Sequence, residues 1–348
     1  MNRWHLRFAV TSNCNFNCKY CNTNNKFVPD LQEQEIKEIL TAAYNIDIIK
    51  VHWTGGEPLV KKELYKCIQY AKELGYIEQS ITTNGYLLVD QADKLIKAGI
   101  SRVNISLDTL NREKFKNITG RDGLENVLKG INKILDISDF KIKINMVVMK
   151  DNLEEVSNFI NFAESINEKY KKERIIIRFL QFFPCNPNQL NEDGQKYWKD
   201  EYITEKKIIN EIKKNGNEIT SNNEKIIGDN PTVKYYRVNN SLTIGILAMF
   251  SWKYPCGDCH KLRITPYGYG SCCLNDEKMY KLIDVPLEEK ERILHQIIER
   301  RSTIIDERKE RRHYRRKLGE VRFGEKGKQV ELEKFYDIIN QKEKEKSE

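Results

Sequence analysis

The strongest constraint on the fold is an alternation of short β-type runs with amphipathic helical segments through the first half of the chain. The predicted strands are Leu6–Thr11, Ile48–Thr54, Gln79–Thr83, Arg102–Leu107, Lys141–Val148 and Ile175–Phe182. The predicted helices between them are Gln32–Tyr44, Lys61–Leu74, Gln91–Ala98, Leu124–Leu135 and Leu153–Ile166. Six successive units predict a parallel sheet with right-handed crossovers. We therefore expect an α/β fold, a partial (β/α)6 TIM-type barrel, rather than a closed eight-stranded one.

Unusual polar segments follow the carboxyl ends of the first four predicted strands, where barrel enzymes build their sites. In chain order they are Cys14, Gly55-Gly56-Glu57-Pro58, Thr83-Asn84-Gly85 and Ser106-Leu107-Asp108. Two adjacent glycines let a backbone approach a ligand closely, and the Glu57 carboxylate can accept a hydrogen bond from an ammonium group. The sequence thus predicts a functional site at this end of the sheet.

Three cysteines stand in the first of these segments, Cys14, Cys18 and Cys21, with the spacing C-x3-C-x2-C. This spacing can present three thiolates to one iron-sulfur cluster and leave the fourth iron without a protein ligand. An open iron that takes up a substrate or cosubstrate indicates chemistry rather than electron transfer alone. The alternative is a structural zinc, which needs a fourth ligand that the loop does not contain.

The 348-residue length allows one barrel with a smaller extension, and 39% hydrophobic residues are enough for a core. No apolar run is long enough to cross a bilayer, and the N-terminal segment lacks a signal-peptide apolar region. We therefore expect a cytoplasmic protein without a membrane partner. In that reducing compartment the nine cysteines predict metal ligands or buried thiols rather than disulfides.

The second half of the chain divides less clearly. We expect a partial-barrel domain at 1–185, a linker with a helix near Ile203–Lys214 at 186–240, a cysteine hairpin region at 241–285 and a charged helical tail at 286–348. The run from Arg300 to Lys317 carries much of the net charge of +8. A solvated helix face explains it better than a nucleic-acid surface, because aromatic residues that would stack on bases are nearly absent.

A second cysteine set comprises Cys256, Cys259 and Cys273. Between the last two, a strand, a turn and a return strand are predicted, so that a hairpin brings the third thiolate back to the first two. Three ligands again leave one iron of a cluster open. The alternative is a zinc site completed by Cys272 or His260. Since Cys272 and Cys273 are neighbours on a predicted strand, only one of them should ligate easily.

The chain resembles the GTP 3′,8-cyclase family of the radical S-adenosylmethionine (SAM) enzymes. The resemblance is carried by residues 5–182 and 250–275, in LRFAVTSNCNFNCKYC, TGGEPLVKKEL, TTNGYLL, NISLDTLNREKFKNITGRDGLENVLKGI, INMVVMKDN, IIIRFLQF and CGDCHKLRIT. It implies two 4Fe-4S clusters with SAM as cosubstrate. It also implies that a 5′-deoxyadenosyl radical takes the 3′ hydrogen of GTP and that the ribose radical then attacks carbon 8 of guanine.

The resemblance also implies roles for individual residues. The residues expected at SAM are Tyr20, Gly55, Gly56, Glu57, Thr83, Asn84 and Ser106, and the cations expected at the triphosphate are Arg7, Lys50, Lys150, Arg178, Lys261 and Arg263. The second cluster, on Cys256, Cys259 and Cys273, is expected to bind the guanine. The expected partners are a small-molecule nucleotide and an electron donor of the flavodoxin or ferredoxin type, and a homodimer is compatible with the family.

Several positions depart from the family pattern. His52 and Lys261 stand where arginine is usual, and Gln181 replaces a typical glutamate. Lysine keeps the charge but loses the planar fork of arginine, and a neutral histidine weakens phosphate binding. The family's terminal Gly-Gly is also not found, since the sequence ends in Lys-Ser-Glu. The alternatives left open are a radical SAM enzyme acting on another nucleotide and a peptide maturase with one auxiliary cluster.

Overall fold

A computed structural model describes residues 4–21, 29–182, 192–214, 216–221, 233–247, 259–273, 276 and 278–317, with the side chains of 192–195 and 304–317 left undescribed. The strands are β1 (His5–Ala9), β2 (Lys50–Thr54), β3 (Glu78–Thr83), β4 (Arg102–Ser106), β5 (Ile142–Val148), β6 (Ile175–Gln181), β7 (Ile219–Ser221), β8 (Lys234–Val238), β9 (Leu242–Leu247), β10 (Lys261–Ile264), β11 (Tyr269–Ser271) and β12 (Tyr280–Lys281).

The α-helices are α1 (Glu33–Asn45), α2 (Leu64–Leu74), α3 (Leu88–Ala98), α4 (Arg112–Thr119), α5 (Leu124–Ile137), α6 (Val156–Lys169), α7 (Glu192–Glu201), α8 (Glu205–Lys214) and α9 (Leu287–Lys317). Short 3₁₀ helices occupy Pro58–Val60 and Lys150–Glu155. The chain forms two compact units, Met1–Arg301 and Ser302–Glu348. Among the described helices, none is long and apolar enough to span a membrane.

One sheet runs through the first unit in the order β12-β11-β10-β1-β2-β3-β4-β5-β6-β9-β8-β7. The eight strands from β10 to β9 are parallel neighbours, and the outer pairs on each side are antiparallel. The first six strands thus lie in chain order, as the alternation predicted. Segments from the second half of the chain then extend the sheet beyond both β1 and β6.

The two faces of this sheet differ in chemistry. The face packed under the helices is fully buried and apolar, with Leu6, Phe8, Trp53, Ile81, Val103, Ile105, Ile144 and Ile177. The alternate positions on the same strands are polar or charged and include Arg7, His52, Thr82, Asn104, Asn145 and Arg178. Side chains alternate between faces along a strand, so a single register decides both sets. A parallel sheet buried under helices on both faces would be apolar on both faces. The polar face of this sheet therefore lines the interior of the partial barrel.

The partial (β/α)6 barrel predicted from the sequence is confirmed, with strand ends within two residues of those expected. The starts of the helices were predicted less accurately. Helix α2 begins three residues later than predicted, and α3 begins three residues earlier. The sequence analysis missed α4 altogether. Its sequence REKFKNIT buries little beyond Phe115, Ile118 and Thr119, so its apolar periodicity is weak.

The region predicted as a linker holds more structure than one helix. The helix expected near Ile203–Lys214 is α8, and α7, β7 and β8 also lie in this region. β8 pairs with β9, and β9 pairs in parallel with β6. This region therefore continues the barrel sheet. The four-part domain division remains a proposal.

Candidate active site

The first three cysteines lie on the loop after β1, and all are partly exposed. The Phe16 amide donates a hydrogen bond to the Cys14 sulfur at 3.4 Å, and the Cys21 amide donates to the Cys18 carbonyl at 3.0 Å. Burial is the main cause that raises the pKa of the Cys18 thiol, and the charges of Asp108, Cys21 and Cys14 raise this pKa further. The three thiols thus influence one another, as expected for cysteines on one short loop.

The two glycines after β2 lie in close contact with the backbone of this cysteine loop. The amides of Gly56 and Glu57 donate to the carbonyls of Thr11 and Asn13, each at 2.8 Å. A Cβ on Gly55 would lie 2.4 Å from the Thr11 oxygen, and one on Gly56 would lie 2.3 Å from the Asn13 oxygen. Gly55 also has φ +146°. The paired glycines are therefore required by close approach to the cysteine loop itself.

Glu57 connects the loops after β2 and β3. Its carboxylate is 1% exposed and accepts hydrogen bonds from the Leu59 amide (3.0 Å), the Thr83 hydroxyl (2.7 Å) and the Asn84 amide (2.6 Å). Burial raises its pKa to about 7 despite these three donors. The side chain thus positions the two loops. A contact between Glu57 and the amine of SAM remains a prediction, as does one with Thr83.

Asn84 reaches from the loop after β3 to the cysteine loop. Its Nδ2 atom donates to Asn15 Oδ1 at 2.7 Å and lies 4.0 Å from the Cys14 sulfur. Asp30 holds the start of the same loop, accepting from the Ser12 amide at 2.8 Å and from Asn13 Nδ2 at 3.2 Å. Sequence reasoning missed Asp30, because a lone Pro-Asp pair after a polar stretch is an ordinary turn signal.

Helix α4, which the sequence analysis did not predict, binds the other side of the cysteine loop through hydrogen bonds. The amides of Asn17 and Lys19 donate to the carbonyls of Thr119 and Ile118 at 2.8 and 2.9 Å. Just beyond the helix, Arg121 donates to the Asn15 carbonyl at 3.0 Å. The backbone that carries Cys14 and Cys18 is therefore held by the loops after β2 and β3 and by helix α4.

Tyr20, which is partly exposed, and the buried Asp108 form a pair beside the thiols. The Tyr20 hydroxyl donates to Asp108, and the Val147 amide donates to the other carboxylate oxygen at 2.8 Å. Burial raises the pKa of Asp108 to about 6. Ser106 ends β4 and is paired in register with Asn145 on β5. The roles of Tyr20 and Ser106 toward SAM remain predictions.

Five of the six basic residues predicted to bind substrate lie on the polar face of the sheet, and four of them are considered first. Arg7 is paired in register with Arg263, and His5 with Lys261. Arg178 lies on β6, five strands away from β1 in the sheet order, yet its charge lowers the pKa of Lys261 and of His52. The sheet therefore curves until Arg178 faces these residues across the interior. Burial, together with Arg7, Arg263 and Arg178, lowers the pKa of Lys261 to about 7.

The other two predicted cations have different surroundings. Lys50 begins β2 on the polar face, with its Nζ 3.9 Å from the Glu78 carboxylate. Glu78 also pairs with Arg102 at 2.6 Å, a pair that the sequence analysis did not single out. Lys150 follows β5, begins a 3₁₀ helix and is exposed. The structure thus brings Arg7, Arg178, Lys261 and Arg263 together. Lys50 begins the neighbouring strand β2 beside the Glu78 carboxylate, and Lys150 lies outside the strands.

His52 and Gln181, two of the departures from the family, are held by neutral partners. The His52 ring nitrogens lie 2.7 Å from the Ser80 hydroxyl and 2.8 Å from the Thr82 hydroxyl. Burial, followed by the charge of Arg7, lowers the pKa of His52 well below its ordinary value, so the ring is neutral. Gln181 donates to the Tyr202 hydroxyl at 2.7 Å and to the Ile203 carbonyl at 3.0 Å.

Cys259 and Cys273 of the second set are both partly exposed, while Cys256 lies outside the described residues. The predicted hairpin between them is present, because β10 and β11 pair antiparallel. Cys272 is buried and donates to the Asp276 carboxylate at 3.2 Å. The His260 ring stacks edge-on against Trp4, with centroids 5.5 Å apart. Cys272 thus turns into the core, as expected for the neighbour of an outward-facing Cys273.

The first set of thiols fits an iron-sulfur cluster. A cluster takes thiolates as ligands, and the first loop offers three partly exposed thiols on a backbone that its neighbours fix. None of the seven described cysteines is in a disulfide. Within the described ranges, no three His, Cys, Asp or Glu side chains are close enough together to hold a single metal ion.

Comparisons with known proteins agree with this arrangement. Residues 8–163 match the family described as Radical SAM superfamily, and residues 177–314 match the one described as Molybdenum Cofactor Synthesis C. A GTP 3′,8-cyclase of Clostridium botulinum (strain Hall) is 34% identical over 286 residues, covering 80% of this chain and 83% of that protein. One from Limosilactobacillus fermentum is 33% identical over 277 residues, covering 78% and 79%.

Solved structures show the same fold at low sequence identity. The enzyme anSMEcpe with bound AdoMet and a peptide has a TM-score of 0.54 and 15% identity, over 85% of this chain and 83% of that one. SuiB of Streptococcus suis, bound to its precursor peptide SuiA, has a TM-score of 0.52 and 16% identity, over 82% of this chain and 63% of that one.

The curved parallel sheet, with a three-cysteine loop at the carboxyl end of its first strand, defines a radical SAM enzyme, a class that uses a 4Fe-4S cluster and SAM. Within that class the chain belongs to the GTP 3′,8-cyclase family of molybdenum cofactor biosynthesis, whose members carry an additional cluster.

Proposed function

We propose that this protein is a GTP 3′,8-cyclase, a lyase that uses SAM and two 4Fe-4S clusters, one on Cys14, Cys18 and Cys21 and the other on Cys256, Cys259 and Cys273. SAM bound at the first cluster supplies a 5′-deoxyadenosyl radical after one-electron reduction. The names of the relatives support GTP as the substrate.

The observation that carries the proposal is the order of groups along β1 and β10. The first cysteine loop follows the carboxyl end of β1. Cys259 precedes β10, which runs parallel to β1, and Cys273 follows the antiparallel strand β11. Both therefore stand at the amino end. The basic pair Arg7 and Arg263 lies between these two ends, so a substrate held there reaches both cysteine sets.

The basic residues of this interior suit a triphosphate. Arginine forms two parallel hydrogen bonds to phosphate oxygens through its planar fork. Arg7, Arg178 and Arg263 supply three such groups around one space, and Arg178 Nε is oriented by Asn145 Oδ1 at 2.8 Å. In this proposal they hold the phosphates, and the nucleoside extends toward the cysteine loops.

His52 favours a second candidate, in which the phosphates are bound differently from the family pattern. Its neutral ring, tied to Ser80 and Thr82, replaces a cation and binds phosphate more weakly than arginine does. A nucleotide other than GTP is therefore the second candidate substrate, and the same experiment decides between the two.

The test is a competition among nucleoside triphosphates. Anaerobically reconstituted protein receives SAM, a reductant and equal amounts of the four ribonucleoside triphosphates, and mass spectrometry follows each. We expect GTP to be consumed first, together with formation of 5′-deoxyadenosine. Consumption of another nucleotide would replace GTP as the substrate, and consumption of none would reject the cyclase assignment.

The cysteine assignments have a separate test. Cys256→Ala should keep the first cluster and SAM cleavage but lose nucleotide turnover. Cys67→Ala is the matched control, because Cys67 is buried in α2 and stands in neither set. Equal loss of SAM cleavage in both variants would contradict the division into two sets.

The remaining partners are also proposals. A flavodoxin- or ferredoxin-type donor would provide the electron, and the cysteine usage fits a cytoplasmic setting. A homodimer would appear in light scattering as twice the mass of one chain.

A further inference from the structure

Helix α9 packs directly on the hairpin that leads to Cys273. Leu294 and Ile297 of this helix are fully buried. A Cβ on Gly270 of β11 would lie 2.5 Å from Ile297 Cδ1. Gly270 therefore lets the helix pack closely against the strand. The end of β11 cannot move away from α9 without disrupting this packing.

The last turn of α9 within the first unit carries two arginines that the sequence analysis placed on a solvated face. That expectation was wrong for Arg301, which is 6% exposed and donates to the Cys272 carbonyl at 2.9 Å. Arg300 lies 3.5 Å from the buried Asp276 carboxylate. Neither arginine contributes to a solvated basic stripe, because both reach into the turn that follows β11.

Asp276 and Ser271 complete the support of this turn. The Asp276 amide and the Ser271 hydroxyl both donate to the Cys273 carbonyl at 3.3 Å. The Asp276 carboxylate meanwhile accepts from the Cys272 thiol at 3.2 Å. The peptides on both sides of the Cys273 Cα are thus fixed, one by Arg301 and the other by Asp276 and Ser271.

We propose that Arg301 is a positioning residue for the second cluster, which holds the Cys272–Cys273 peptide so that the Cys273 thiol points out of the core toward the metal. The inference rests on the proposed function for the second cysteine set. Cys272 is not a ligand in this arrangement, because its thiol donates to Asp276. Its backbone carbonyl, which accepts from Arg301, is the group that supports Cys273. Helix α9 is then part of the second cluster's site, although it contains no ligand.

The experiment compares Arg301→Met with the wild type after anaerobic reconstitution. Methionine keeps the apolar stem of arginine but removes its donors. We expect about half of the iron to be lost, since each of two clusters holds four iron atoms. The electron paramagnetic resonance signal of the first cluster and its SAM cleavage should persist. Arg301→Lys, which keeps one donor, should recover part of the lost iron.

Arg292→Met is the matched control on the same helix, because Arg292 pairs with Glu289 on the exposed side. It should retain all the iron. Cys272→Ala should keep the second cluster and Cys273→Ala should lose it. Full iron in Arg301→Met, or equal loss from both clusters, would overturn the positioning role. A wild type with only one cluster would instead reject the proposed function, so the two failures are distinguishable.

Discussion

The Thr83 hydroxyl donates a hydrogen bond to the Glu57 carboxylate, with 2.7 Å between Oγ1 and Oε1 in a fully buried seam. This bond joins the loops after β2 and β3, and both loops contact the cysteine loop. The loops of the radical SAM site thus bind one another directly through hydrogen bonds of the protein itself.

Thr83→Val tests this seam. It removes the hydroxyl and leaves a buried carboxylate with one donor fewer, so the free energy of unfolding should fall by about 1–3 kcal/mol. Thr41→Val is the control, since the Thr41 hydroxyl bonds to Lys37 and Tyr70 at a partly exposed site. Urea unfolding under anaerobic conditions measures both, and a smaller loss at Thr83 than at Thr41 would contradict the role of the seam.

The buried Glu57 carboxyl predicts a pH dependence of stability. Its pKa is about 7 in the folded protein against an ordinary 4.5, so between these values the folded protein binds a proton that the unfolded chain releases. Stability from this group is therefore highest below about pH 4.5 and falls as pH rises to about 7, by about 3 kcal/mol. Subtracting the unfolding curve of Glu57→Gln isolates the effect, and a difference that does not change with pH would refute it.

Gly56→Ala should break the contact between the loop after β2 and the cysteine loop. The new Cβ would lie 2.3 Å from the Asn13 carbonyl oxygen, which is backbone and cannot move aside cheaply. Most iron of the first cluster should be lost, as measured by iron content and electron paramagnetic resonance. In Gly216→Ala, where nothing lies within 4 Å, iron should be unchanged. Full iron in Gly56→Ala would show that the approach is not needed.

Arg263→Ala tests substrate binding. Loss of one charge-assisted contact to a phosphate costs about 1.5–3 kcal/mol, which raises KM for the nucleotide by about tenfold to a hundredfold. SAM cleavage without nucleotide should change little, because Arg263 lies on β10 rather than on the cysteine loop. Arg292→Ala provides the exposed control. Unchanged kinetics in Arg263→Ala would remove this residue from the substrate site.

The sequence predicted the parallel half-barrel well, because each of its strands is a short apolar run followed by a helix. It could not predict that β9 and β10 would continue the sheet on its two edges. Such pairing depends on segments more than 60 residues away in the chain, as with Phe179 and Ile246, and periodicity carries no such information.

The site was predicted as a set of residues but not as an assembly. The motifs located Gly55, Gly56 and Glu57, yet their contacts are with the cysteine loop and its neighbours. Asp30 and Arg121 hold that loop through hydrogen bonds of isolated side chains, which leave no pattern in a sequence. Arg301 was not recognised, because it stands in a basic run whose charge predicted a solvent-exposed helix face.

The central claim is that a radical formed at the first cysteine loop takes the 3′ hydrogen of GTP. The most direct test supplies GTP deuterated at the ribose 3′ carbon and measures deuterium in the 5′-deoxyadenosine product by mass spectrometry, with GTP deuterated at the 2′ carbon as control. We predict deuterium transfer from the 3′ position only. Formation of 5′-deoxyadenosine without deuterium from the 3′ position, or no 5′-deoxyadenosine at all, would contradict the account.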